Sequence, residues 1–125
     1  MIIERMFNQP SVIGAAMNAL SLRNDVIQNN IANIDTVNFK KSEVFFEESL
    51  QKAVDNMSKT GEVDLSHVRP QVSRIHENFS QRLDSNNVDV DTEMAYLYQN
   101  GLKYETLAAG IMNYYKRINS VLLGR

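Results

Sequence analysis

Val-Asp-Val-Asp-Thr-Glu-Met-Ala-Tyr-Leu-Tyr-Gln-Asn-Gly-Leu-Lys-Tyr-Glu-Thr-Leu-Ala-Ala-Gly-Ile-Met-Asn-Tyr-Tyr-Lys-Arg-Ile-Asn-Ser-Val-Leu, residues 88–122, carries one stripe: Met94, Leu97, Gly101, Tyr104, Ala108, Ile111, Tyr115, Ile118 and Leu122. Its steps alternate between three and four over four heptads, and none of its positions is charged. That spacing keeps the stripe on one face of a helix with a 3.5-residue period, the pattern of a helix lying along another helix. Asp89 or Asp91 can cap the start, and Glu93 adds negative charge to the first turn. Lys116 and Arg117 sit near the far end, where the helix dipole favours cations. A helix of about 34 residues would span about 50 Å, far beyond the usual helix in a globular domain. Such a helix calls for a helical partner.

The partner lies at the other end of the chain. From about Pro10 to Ile34, apolar residues recur at Ile13, Met17, Leu20, Ile27, Ile31 and Ile34, and only Asn24 interrupts the stripe. Pro10 suits the first turn of a helix, with Asn8 or Ser11 as cap. A helix of about 25 residues would be about 37 Å long. Val12, Ala16, Ala19 and Val26 widen this stripe, as Tyr96, Tyr98, Leu102 and Leu107 widen the other. A wide stripe needs more than one neighbour. The middle segment, further copies or other proteins must therefore complete the burial. Gly101 and Gly110 each cost about 1 kcal/mol in a helix interior relative to Ala. Gly101 and Ala108 lie on the stripe, where small side chains admit a second helix closely; Gly110 lies off it.

Between about Thr36 and Asn87 the pattern is irregular. Glu43 to Met57 reads as a short helix with Val44, Leu50, Ala53, Val54 and Met57 inward, and Phe39, Phe45 and Phe46 supply aromatic bulk. Thr60-Gly61 marks a break. Residues 62–87 are polar with scattered Val68, Val72, Ile75, Phe79 and Leu83, and Pro70 excludes a helix interior or central strand there. Asp84-Ser85-Asn86-Asn87 is a loop signal. The expected fold is mainly α, with long terminal helices pairing as a coiled coil around a short irregular middle. Residues 1–37 hold the N-terminal helix and an Asn-rich turn, 38–87 the middle with its short helix, and 88–125 the long C-terminal helix. Residues 1–37 and 88–125 together form one discontinuous domain.

Composition narrows the function. In 125 residues, 43% are hydrophobic and 22% charged, with a net charge of −2. This is neither a disordered tail nor a phosphate-backbone binder. No run approaches about 18 apolar residues, so no membrane span is expected. Neither stripe is flanked by a basic face, which argues against a helix lying on a membrane. Residues Met1–Pro10 lack the apolar core of a cleavable signal peptide. The absence of Cys removes disulfides, thiol catalysis and Cys-based metal sites.

Catalytic patterns are missing too. His67 and His76 have no helical metal spacing, with Asp64 and Glu77 near them only in sequence. Glu47 and Glu48 fall on a polar helix face, and the five glycines are dispersed rather than gathered in a phosphate loop. Asn56-Met57-Ser58 and Asn78-Phe79-Ser80 match a glycosylation acceptor pattern by chance. No catalytic residue, cofactor or metal is expected.

The most specific stretch is 19–46. Asn29, Asn30 and Asn33 cluster at the end of the first helix, where Asn33 can take the left-handed conformation that terminates helices. Asp35 and Thr36 can bond nearby backbone and fix a turn. The run Asn29-Asn30-Ile31-Ala32-Asn33-Ile34-Asp35-Thr36, then Asn38-Phe39-Lys40, resembles the N-terminal signature of flagellar rod, hook and hook-associated proteins, with Leu20 and Arg23 at the family's spacing before it. Asn86-Asn87-Val88-Asp89-Val90-Asp91 with Glu93-Met94, followed by Tyr104-Glu105, resembles the C-terminal signature. Where many members have Pro-Gly after the Thr, this chain has Val37-Asn38, and Gln28 replaces a small residue. Short length and the wording of the second motif place the chain nearest the proximal rod members of the flagellar basal body.

The resemblance implies a structural subunit of the basal-body rod, serving motility and self-assembling by coiled-coil packing of its terminal helices. It implies other rod subunits, neighbouring basal-body proteins and the flagellar type III export apparatus as partners, with no nucleic acid and no membrane insertion. It places the protein in the periplasm-spanning rod, exported without a cleaved signal peptide. The assembly seam would pair Ile13, Met17, Leu20, Ile27 and Ile31 with Met94, Leu97, Tyr104, Ala108, Ile111, Tyr115, Ile118 and Leu122. Asn30, Ala32, Asn33, Asp35, Thr36, Asn38 and Phe39 form the family turn, which would set where the middle leaves the tube wall. A second class of function, a free-standing helical adaptor or export chaperone, would instead be helical and stable when dilute.

Overall fold

The computed structural model describes residues 2–76 and 82–124, with side chains from residue 6 onward. In chain order the elements are α1 (Ile2–Ala32), β1 (Ser42–Phe45), α2 (Glu47–Thr60), β2 (Gln71–Arg74) and α3 (Val90–Leu122). At 31 and 33 residues, the terminal helices dominate the molecule. They run antiparallel in contact: Asn30 meets Glu93, Asn100 meets Leu20, and Tyr114 meets Met6. The mainly helical fold with paired termini is the one the heptad stripes predict.

Helix α1 begins well before the expected start, and Pro10 lies inside it. A proline cannot donate to the carbonyl four residues back, here that of Met6. The Tyr114 hydroxyl of α3 donates to that carbonyl instead, and Pro10 is buried. The group that proline leaves orphaned is thus satisfied from the other helix, so α1 continues through it.

The helix ends at Ala32, but Asn33 is not the left-handed residue. Among non-glycine described residues, Asn38 (φ 60°) and Ser85 (φ 58°) are the ones with positive φ. Asn33 instead closes the last turn, its amide donating to the Asn29 carbonyl at 2.8 Å, while its Oδ1 accepts from the Thr36 hydroxyl at 3.2 Å.

The middle is more ordered than its sequence suggests. The expected helix over 43–57 splits into β1 and α2. Val44 and Phe45 favour extended backbone, and Glu47 and Glu48 supply the acidic first turn at which a helix begins. Helix α2 stops at Thr60, where Gly61 takes φ 78° and its N–H bonds the Met57 carbonyl, as the Thr60-Gly61 break predicts. β2 starts directly after Pro70 and pairs antiparallel with β1, with Val44 opposite Val72. Phe79, Glu77 and the Asn78-Phe79-Ser80 triplet lie outside the described residues.

The core is small. Ala19, Leu20, Val44 and Phe46 form its buried cluster, with Leu22, Val26, Leu50 and Leu107 against it. The middle therefore covers the centre of α1. Toward the far ends of the helices the cover thins: Phe7, Met112, Val121 and Leu122 are exposed.

Candidate functional site

The most constrained part of the molecule is a polar junction where α1, β1 and α3 meet. Asn30 sits in the last turn of α1 and is 1% exposed. Its amide donates to the Ser42 carbonyl at 2.8 Å, and its Oδ1 accepts the Ser42 N–H at 2.9 Å. This two-way bond imitates a strand partner, so α1 closes the inner edge of β1 with a side chain. The same amide donates to Glu93 Oε2 at 3.0 Å. Glu93 is 2% exposed, and Lys41 lies 3.9 Å from its other oxygen. Burial works against the charge on Lys41, but the hydrogen bond to Glu43 and the charges of Glu43 and Glu93 outweigh it and lift its pKa.

Arg23, two helical turns before Asn30, closes the next part of the same edge. Its guanidinium donates to the Val44 carbonyl at 2.6 Å, pairs with Glu47 at 2.6 Å, and lies 4.7 Å over the Phe46 ring. Burial pushes the Glu47 carboxyl up, yet the Arg23 hydrogen bond wins and holds it below the usual range.

A second polar clasp fixes the turn after α1. The Asn86 amide lies 2.9 Å from the carbonyls of Asn33, Ile34 and Thr36, and its Oδ1 accepts the Val88 N–H at 2.8 Å. Asn87 ties Ile75 to Lys41 in the same way. Asn38 donates its N–H to the Asp84 carbonyl at 2.8 Å. These bonds satisfy backbone carbonyls of the turn that follows α1. They also lash the loop before α3 to the turn after α1.

Of the turn motif, Asn30 is buried, Asn33 and Phe39 are half-buried, and Ala32, Asp35, Thr36 and Asn38 are exposed. Of the seam, Leu20 and Ile27 are buried. Ile13, Met17, Ile31, Met94, Leu97, Ala108, Ile111 and Ile118 are half-buried, and Tyr104, Tyr115 and Leu122 are exposed. The face of α3 turned to α1 is rotated from the apolar stripe by part of a turn, which brings in Glu93, Asn100 and Tyr114. Periodicity counted these polar residues as outside the stripe; the Asn-Asn pair of the second motif was the available signal for Asn86 and Asn87. His67 and His76 are exposed. Among the described residues no group of His, Asp and Glu could hold a metal ion, and no helix is long and apolar enough to cross a membrane.

Paired terminal helices, apolar flanks left open and a junction whose polar groups are spent on holding backbone define a helical structural subunit of a larger assembly. The family described as flagella basal body rod protein matches residues 12–40, and the flagellar basal body rod protein FlgB of Borreliella burgdorferi is 38% identical over 120 residues, covering 85% of this chain and 89% of that protein. The chain belongs to the flagellar basal body rod protein family and is a structural subunit of the rod, not an enzyme. The FlgB proteins of Bacillus subtilis (34% identical, 87% of this chain and 88% of the relative) and Aquifex aeolicus (30%, 82% and 83%) are similar over most of their lengths. The short length and the wording of the second motif favour the proximal rod protein B type over the C type, and these three relatives all carry the FlgB name.

Proposed function

We propose that the chain is a proximal rod subunit whose folding is completed by assembly. Residues 1–37 and 88–125 act as one discontinuous helical unit, and 38–87 as an outer segment oriented by the Asn33–Phe39 turn. The seam from Ile13 to Ile31 and from Met94 to Leu122 is then shared between α1–α3 packing within the subunit and contacts with neighbouring rod subunits and adjoining basal-body proteins. The protein reaches the periplasm-spanning rod through the flagellar export apparatus.

The observation that supports this reading is the thin core beside a long exposed stripe. Tyr104, Met112, Tyr115, Val121 and Leu122 are all exposed on α3. Leaving such surface in water weakens a lone helix, and covering it would stabilise the same helix by about 25 cal/mol per Å². Circular dichroism over a wide concentration range, paired with analytical ultracentrifugation, tests it. Helicity should be incomplete when the protein is dilute and rise as it associates or meets a rod partner. Full helicity in a stable, dilute monomer would favour the free-standing adaptor or chaperone instead.

A further inference from the structure

Asn100-Gly101 is the one Asn-Gly pair in the chain. In a free backbone such a pair deamidates without a catalyst. The Gly101 nitrogen attacks Asn100 Cγ, and the bond from Cγ to Nδ2 breaks. The Gly101 amide proton passes through solvent to the leaving nitrogen, which departs as ammonia, and a five-membered succinimide remains. Water then opens the ring. Cleavage at Cγ gives aspartate; cleavage at the backbone carbonyl gives isoaspartate, in which the main chain runs through the side chain. Glycine in the second position makes the reaction fast, because without a Cβ its nitrogen is uncovered and the backbone readily takes up the ring-closing conformation. Every other Asn in the sequence is followed by a residue with a side chain.

The fold closes this route. Both residues lie in the interior of α3, where the Gly101 N–H is committed to the helical ladder and the Asn100 backbone cannot swing round toward its own side chain. Asn100 is 4% exposed, so the water for ring opening is kept away. Its amide nitrogen, the leaving group, donates to the Leu20 carbonyl of α1 at 2.8 Å. The same contacts make the product incompatible with the fold. Aspartate puts an acceptor where the amide donated, so one oxygen faces the Leu20 carbonyl oxygen, and the other meets no donor among the described residues. A carboxylate buried without a partner is strongly unfavourable. Isoaspartate also inserts a carbon into the main chain in mid-helix and breaks the ladder.

We propose that Asn100-Gly101 is a spontaneous deamidation site, open while the chain is unfolded and closed by α1–α3 pairing, and that deamidation withdraws the chain from assembly. The site stands on the fold. Its consequence rests on the rod-subunit reading, in which assembly completes folding and unassembled chains stay open to the reaction. Time spent unassembled is thereby written into the chain as a covalent change at the helix pair.

The test ages the full chain at mildly alkaline pH, in guanidinium chloride and in parallel at high concentration in native buffer, with peptide mapping by mass spectrometry at each Asn. Conversion of Asn100 should be at least tenfold faster in denaturant, and there it should precede that of Asn119, which is exposed in the fold. Returned to native buffer, the aged parent should recover helicity and self-association in proportion to its unmodified fraction. Gly101→Ala, whose added Cβ would meet nothing within 4 Å among the described residues, should age slowly and recover fully, which separates deamidation from other damage. Asn100→Asp, the aspartate product made directly, should match the converted fraction. Equal rates in the two states, another Asn converting first, or full recovery of a fully converted chain would overturn the proposal. A parent that is fully helical as a dilute monomer would sink the rod reading alone, since Asn100 would still be protected until denatured.

Discussion

Asn30→Ala isolates the junction. Among the described residues, the Asn30 side chain makes three hydrogen bonds, two to the Ser42 backbone and one to Glu93. Alanine leaves the half-buried Ser42 N–H and carbonyl without that partner and, among the described residues, leaves the buried Glu93 carboxylate with the 3.9 Å contact to Lys41 alone. A buried polar group stripped of its partner costs about 1–3 kcal/mol, and more when charged. With the two backbone groups at the low end and Glu93 at the high end, the loss should be about 5 kcal/mol. Total stability in single domains is about 5–15 kcal/mol, so the variant should be near its limit. Urea unfolding followed by circular dichroism, in TMAO to secure the folded baseline, measures the loss. Hydrogen exchange at the Ser42 amide gives the local readout and should accelerate in step. Asn33→Ala, which loses mainly the bond to the Asn29 carbonyl, should cost about 0.5–1.5 kcal/mol and serves as control. A loss under about 1 kcal/mol for Asn30→Ala with Ser42 still protected would refute the reasoning.

Ile27→Asp places a charge at a buried position and should cost more than about 3 kcal/mol and block assembly. Ile111→Asp, at a half-buried one, should cost less but also block assembly, and normal motility in both strains would remove these residues from the seam. Asn38→Gly keeps φ 60° without a Cβ and should stabilise by up to about 1 kcal/mol, whereas Asn38→Val should destabilise by about 1–2 kcal/mol in thermal melts. The Glu47 carboxyl is held below its unfolded value, so its contribution is present above the ordinary carboxylate range near ~4.3 and fades as pH falls through the folded value. Glu47→Gln should flatten the acid limb of stability against pH. Lys41 is shifted upward, so its contribution is full below about 10.4 and lost as pH rises through the folded value; Lys41→Met should flatten the alkaline limb.

The helical pair was legible because two uncharged heptad stripes at opposite ends of a chain need each other, and the loop signals at Gly61 and Asp84–Asn87 mark real breaks. The hairpin was not. A four-residue strand is too short for periodicity to separate it from a helix, and β1 is held by Asn30 and Arg23, distant residues whose role no local pattern reveals. The rotation of α3 was hidden for a related reason. Apolar counting rewards Met94 and Gly101, but the subunit buries Glu93 and Asn100 because each finds a polar partner on α1. Pro10 misled in the same direction, since its cost as an interior residue is offset by a tyrosine more than a hundred positions away.

That tyrosine has a consequence for the two chain ends. The carbonyl that Pro10 cannot reach is held by Tyr114, so the course of the first turns of α1 past the proline is guided from the last third of α3. The two long helices are thus joined at a point well away from the middle segment, and a change at Tyr114 is felt at Met6 and Pro10 although 108 positions of sequence separate Tyr114 from Met6.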